Sequence, residues 1–250
     1  MSQTRGSCVE VDAADCVTTV RLNHPPVNAL DLVLLESVVA AMRRIEGPVV
    51  ITGVGKCFSA GVDLRAVIDG GSDHVDPFLA ALSEAFLAVF DHPAPVVAAI
   101  NGHAIAGGCV LAMCADIRLM SAGTIGLTEL AVGVPLPVAA LEICRHAMGT
   151  SVTHAALQPA TVDCDTALTR GWVDAVVPQA QLIHQAIAIG RELGQYSPVA
   201  YAATKEQLHR PARAAIDHGA EIDAQVRAGW MSADIRTRIT EFLDALARHR

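Results

Sequence analysis

The chain has 250 residues, of which 52% are hydrophobic and 18% charged, and it carries a formal net charge of −8 at pH 7. A chain of this length and apolarity buries one principal core. Its acidic balance leaves no basic field for nucleic acid or an anionic membrane, so neither is expected as a partner. No apolar run reaches the roughly 20 residues of a membrane span, and the acid-bearing start MSQTRGSCVEVDAADC does not read as a signal peptide. Seven cysteines without a C-x-x-C or a regular framework fit reduced, mostly buried thiols and a cytoplasmic location.

Cys8 to Val11 and Val17 to Leu22 read as a strand pair around Asp-Ala-Ala-Asp. Asn23-His-Pro-Pro-Val-Asn28 then breaks the pattern, and Asp31 is placed to cap a helix running to about Glu46. Pro48 to Thr52 is a β-branched run of the kind buried inside a sheet. The order repeats with a helix from Pro77 to Asp91, a buried strand from Pro95 to Ile100 and a helix from Gly107 onward. Ile117 to Ser121 and Thr124 to Leu127 read as short strands, and a helix follows near Pro137 to His146. After about Ser151 strand signals nearly vanish, and Ala180 to Leu193, Pro198 to Leu208, Pro211 to Arg227 and Ser232 to Ala247 read as helices. An α/β core over 1–195 is thus followed by a helical region over 196–250, whose apolar faces must pack on the core or on a neighbouring subunit.

Several motifs fail on inspection. Gly53-Val-Gly-Lys56 lacks both the glycine and the Ser/Thr of a phosphate-binding loop, because Val50 and Cys57 stand there. No G-x-G-x-x-G follows a strand, and Ser59 is not in a nucleophile elbow, so it reads as a hydroxyl satisfied near a turn. The ten histidines show no metal-ligand spacing, and no metal is expected. His103 lies near a glycine pair and reads as a local packing or hydrogen-bonding residue.

Two segments share one arrangement: a buried strand, then small residues with glycine, then a helix. They are Phe58-Ser-Ala-Gly-Val-Asp-Leu64 and Gly102 to Val110. Small side chains let a ligand approach the main chain, and helix starts present unpaired N–H groups. Each alone reads as a tight connection; two converging would form an oxyanion hole.

These segments, with Cys114-Ala-Asp-Ile-Arg118 and Gly171-Trp-Val-Asp-Ala-Val-Val-Pro178, resemble the enoyl-CoA hydratase/isomerase (crotonase) superfamily from about Val9 to the final helix. The resemblance implies a spiral of strand-strand-helix units with a helical C-terminal trimerisation region, hence a homotrimer or a dimer of trimers. It also implies an acyl-CoA thioester as substrate, with coenzyme A part of that substrate and no separate cofactor. The backbone N–H groups of Ala60 and Gly107 would bind the thioester carbonyl, with Asp63 and Leu64 beside them in the substrate site. Hydratases of the family use two glutamates. The first position is Val110 here, which can neither hold nor deprotonate water; the second is Glu129, within Ile125-Gly-Leu-Thr-Glu129. One glutamate and an apolar residue at 110 resemble the Δ3,Δ2-enoyl-CoA isomerases, in which Glu129 would carry a proton from C2 to C4. Leu127, Leu130 and Val132 would raise its pKa if they flank it. The alternatives are another enolate-forming reaction such as hydration, and a non-catalytic acyl-CoA-binding member. Lys56 and Arg65 are candidates to meet CoA phosphates, with solvated surface charge as the default reading, and Lys205 would reach a neighbour's site only through a subunit contact. Asp116, Asp163 and Glu142 need no catalytic role.

Overall fold

A computed structural model describes residues 8–248. The extreme terminal residues, on which the targeting expectations partly rest, lie outside that range. The chain opens with β1 (Val9–Ala14) and β2 (Val17–Leu22), then α1 (Leu32–Met42), β3 (Val49–Gly53), β4 (Cys57–Ser59), α2 (Leu64–Gly70) and α3 (Ser72–Phe90). It continues with β5 (Val96–Ile100), β6 (His103–Ile105), α4 (Gly107–Met113), β7 (Ile117–Met120), β8 (Ile125–Gly126), α5 (Glu129–Val132) and α6 (Val138–Met148). Then come α7 (Val152–Leu157), α8 (Cys164–Thr169), β9 (Ala175–Val176), α9 (Leu182–Leu193), α10 (Pro198–His218), α11 (Ala220–Met231) and α12 (Ala233–Arg248).

The main sheet has the order β1-β2-β3-β5-β7-β9, antiparallel only between β1 and β2. Its central strands are apolar on both faces because both faces are covered. In β3 and β5, Val49, Ile51, Val96, Ala98 and Ile100 enter the principal core, whereas Val50, Val97 and Ala99 enter a second cluster with Leu182 and Ala186 of α9. A smaller parallel sheet of order β4-β6-β8 is built from the short strands that follow β3, β5 and β7. Each pair of successive strands feeds a helix, which is the strand-strand-helix spiral expected from the sequence.

Several details differ from the sequence reading. The hairpin turn is only Asp15–Cys16, both with positive φ, as a two-residue turn between twisted strands requires. β4 and β6, read as loops, are strands of three residues, too short to show a period of two. β9 pairs in parallel with β7 beyond the point where strand signals fade. α3 and α10 run through Pro77 and Pro211, and the tail breaks at Gly219 instead. Tertiary packing outweighs the missing N–H in α10, whose Lys205, His209 and Ala212 are buried.

The helical tail packs on the core of its own chain. Ala212, Val226, Trp230 and Ile239 belong to the same apolar cluster as the sheet and α3. Lys205 is buried in an ion pair with Asp116 (2.9 Å) and so does not point to a neighbour. Asp116, at the start of β7, also accepts from Val96 N–H and the Tyr201 hydroxyl, which fastens α10 to the sheet. Arg118 binds Asp174 through both its main-chain N–H (2.7 Å) and its guanidinium (3.1 Å), joining the two later motifs. Among the described residues no cysteine forms a disulfide, five of the seven cysteines are buried, and no helix is long and apolar enough to cross a membrane.

Candidate active site

The first glycine segment is held from a distance. Asn28, buried and at positive φ, donates through its side-chain amide to the carbonyls of Cys57 (2.9 Å) and Phe58 (3.2 Å). Ser59 Oγ donates to Asn28 O (2.7 Å) and accepts from Gly61 N–H, the satisfied hydroxyl expected. Ala60 N–H donates to Val27 O at 3.0 Å. Ala60 therefore does not present the free donor expected of it, although its side chain lines the site.

The free donor on this segment is Val62. Leu30 N–H binds Gly61 O and Asp63 N–H binds Leu30 O, the two bonds of a parallel bridge between Leu30 and Val62. In such a bridge the groups flanking Val62 face Leu30, so the N–H of Val62 itself points the other way. It has no partner among the described residues. On that side lies the second segment: a Cβ on Gly61 would stand 2.7 Å from Ile105 O and 3.1 Å from Gly107 N, and Gly61 has φ +83°. Only glycine lets the two chains meet this closely.

Gly107 begins α4, and its N–H has no carbonyl one turn back; the first helical bond runs from Val110 N–H to Ala106 O. Ala106 holds φ 51° and ψ −122°, a strained conformation for a residue with a Cβ, of the kind that clusters at functional sites. Gly108 is needed for packing, since a Cβ there would collide with Ser59 O at 2.2 Å.

Facing these donors is a cavity of about 60 Å³. Ala60, Val62, Leu64, Ala106, Gly107 and Val110 line it on the donor side, and among the described residues Glu129 is the only ionisable one in its wall. Larger grooves of about 760 and 640 Å³ lie on other faces, among charged side chains of α1, α3 and α10, and neither includes Glu129 or the donors. Glu129 opens α5 and is 8% exposed. Its Oε2 is buried with no hydrogen-bond partner. Burial pushes the carboxyl up to about 7, against a smaller downward pull from the main-chain N–H groups of Glu129 and Thr128. Leu127 and Val132 are buried near it in sequence, but Leu130 is 47% exposed and does not contribute; Val134, Leu136 and the tail residue Trp230 complete the dry wall.

The remaining polar candidates fall outside the cavity. Asp63 caps α2, its Oδ1 accepting from Arg65 N–H (3.0 Å) and Ala66 N–H (3.1 Å). Leu64 lines the cavity as expected. Lys56 and Arg65 are exposed. His103 bonds Thr124, Glu142 pairs with Arg145, and Asp163 caps α8. The sequence reading missed Val62, Asn28 and Trp230. The break at Asn23 to Asn28 signalled a turn, but nothing local tied its asparagine to a loop 30 residues later.

The profile of the family described as enoyl-CoA hydratase/isomerase matches residues 12–249. The chain belongs to this family. It is 32% identical over 191 residues to mouse "Enoyl-CoA delta isomerase 1, mitochondrial", covering 72% of this chain and 66% of that protein. It is 28% identical to the "Putative enoyl-CoA hydratase" of Thermus thermophilus, over 91% of this chain and 94% of that one. The crystal structure of human mitochondrial delta3-delta2-enoyl-CoA isomerase superposes with a TM-score of 0.91 at 25% identity, covering 97% of this chain and 99% of that chain. The protein is therefore an enzyme of the enoyl-CoA hydratase/isomerase family with the crotonase fold.

Proposed function

We propose that the protein is a Δ3,Δ2-enoyl-CoA isomerase with a single base, Glu129, and an oxyanion hole formed by the main-chain N–H groups of Val62 and Gly107. The observation that carries this reading is the cavity wall: among the described residues one ionisable side chain, with one oxygen unpartnered and a pKa raised to about 7, and Val110 where a second acid would have to stand.

The chemistry follows from these groups. The Glu129 carboxylate takes a proton from C2 of a 3-enoyl-CoA. The electron pair of that C–H bond moves into the thioester, leaving a dienolate with negative charge on its oxygen. Val62 N–H and Gly107 N–H stabilise that charge, each worth roughly 3 kcal/mol of barrier in a dry site. The protonated Glu129 then returns the proton to C4 as the double bond settles between C2 and C3. A base near pH 7 is about half ionised at neutrality and can serve in both steps. Apolar walls keep water from quenching the intermediate. The same proposal includes the homotrimer implied by the family resemblance.

The hydratase reading draws on the hydratase name of the Thermus relative. Hydration requires a held water and a second acid, and Val110 supplies neither. Incubation with 3-hexenoyl-CoA and with 2-hexenoyl-CoA separates the two. Double-bond migration that Glu129→Gln abolishes supports the isomerase; hydration of 2-hexenoyl-CoA at a comparable rate overturns it.

A further inference from the structure

The same cavity carries information about the acyl chain. The cavity is small, about 60 Å³, against the roughly 300–1,000 Å³ of ordinary ligand pockets. Two aromatic side chains line the cavity. Phe86 of α3 brings its ring so near the donors that a Cβ on Gly107 would lie 3.7 Å from its Cζ. Trp230 of α11 is 2% exposed, and its indole N–H donates to Pro135 O at 2.9 Å, between the lining residues Val134 and Leu136. Phe86 sits inside a 19-residue helix, and Trp230, next to last in α11, is held by its burial and its indole hydrogen bond, so neither swings aside as a loop tip would.

We infer that Trp230 is the stop of the acyl pocket and restricts the enzyme to short-chain substrates, 3-enoyl-CoA esters of about four to six carbons. The inference rests on the reading that this cavity takes the acyl group of a CoA ester. Trp230 is a specificity residue here: the helical tail, far from the chemistry in sequence, sets the chain length by lending one pinned indole to the wall.

The test uses the full-length protein, kcat/KM with 3-hexenoyl-CoA against 3-dodecenoyl-CoA, and calorimetric Kd values for saturated butanoyl-, hexanoyl- and dodecanoyl-CoA. The wild type is expected to prefer the six-carbon substrate at least 100-fold and to bind hexanoyl-CoA at least tenfold tighter than dodecanoyl-CoA. Trp230→Leu should narrow both ratios at least tenfold, and Trp230→Phe, which keeps an aromatic ring in the core, should narrow them in the same direction. Equal or better use of the twelve-carbon substrate by the wild type overturns the inference, as do unchanged ratios in a folded variant. If isomerisation proceeds without length discrimination, the pocket stop falls and the isomerase reading stands. Graded binding without isomerisation of any chain does the reverse. Should Trp230→Leu fail to fold, the wild-type ratios and Trp230→Phe decide.

Discussion

Two carboxylates, the half-buried Asp116 and the buried Glu129, show how one chemical group serves structure in one region and chemistry in another. Asp116 Oδ2 collects Val96 N–H (2.8 Å), Lys205 Nζ (2.9 Å) and the Tyr201 hydroxyl (3.2 Å). Every element that meets it supplies a donor, and the result is a clasp between the sheet and α10. Glu129, one strand further along, has an oxygen with none. The surrounding fold could have satisfied it, as it did Asp116, and instead offers Val110, Leu136 and Trp230. An orphaned carboxylate in a dry wall is left able to take up and release a proton near pH 7.

The contrast is broken most directly by removing the charge from each carboxylate. Glu129→Gln should lower kcat for 3-hexenoyl-CoA by at least about 10³-fold in steady-state assays, with the fold intact by circular dichroism. Asp116→Asn should leave Lys205 buried without its counter-ion and cost roughly 3–5 kcal/mol in denaturant unfolding, with a much smaller effect on kcat in the folded protein.

The third prediction turns on pH and concerns stability. The folded Glu129 carboxyl is raised from 4.5 to about 7, so the native state holds a proton that the unfolded chain has lost between those values. Stability contributed by this group is therefore full below about 4.5 and disappears as pH rises through about 7, a loss on the order of 3 kcal/mol. Glu129→Gln lacks this loss. Its advantage in Tm over the wild type should grow as pH rises from 5 to 8, and a constant difference across that range would contradict the assigned cause.

A smaller effect is expected from Gly61→Ala. With φ +83° and a contact of 2.7 Å to Ile105 O awaiting the new Cβ, the two donor segments must separate. A displaced oxyanion donor should cost on the order of 10²-fold in kcat, with the pH midpoint unmoved because Glu129 is untouched. Loss of a single site's alignment would thereby be separated from loss of the base.

Much of the scaffold was legible because β-branched runs such as Pro48 to Thr52 and Pro95 to Ile100 have few alternatives to a covered strand. Asp31 behaved as the helix cap its position suggested. The donor on the first segment was not legible to the residue. Phe58 to Leu64 marks the loop, but which N–H stays free depends on Val27 and Leu30, which take the neighbouring groups from some 30 residues earlier. Glu129 stood out through family resemblance, and its perturbed acidity depends on burial to which Trp230 contributes from 101 positions away in sequence. Pro211 misled for the opposite reason: a strong local breaker was overruled by the burial of Lys205, His209 and Ala212 on one helix.

The pH dependence of kcat/KM for 3-hexenoyl-CoA, followed from pH 5 to pH 9 with Glu129→Gln alongside, tests the one-base account most directly. The account predicts a tenfold rise per pH unit below a single midpoint near 7, a plateau above it, and no measurable limb in the variant. A flat profile, a midpoint at the ordinary carboxylate value, or a variant within tenfold of the wild type would contradict it.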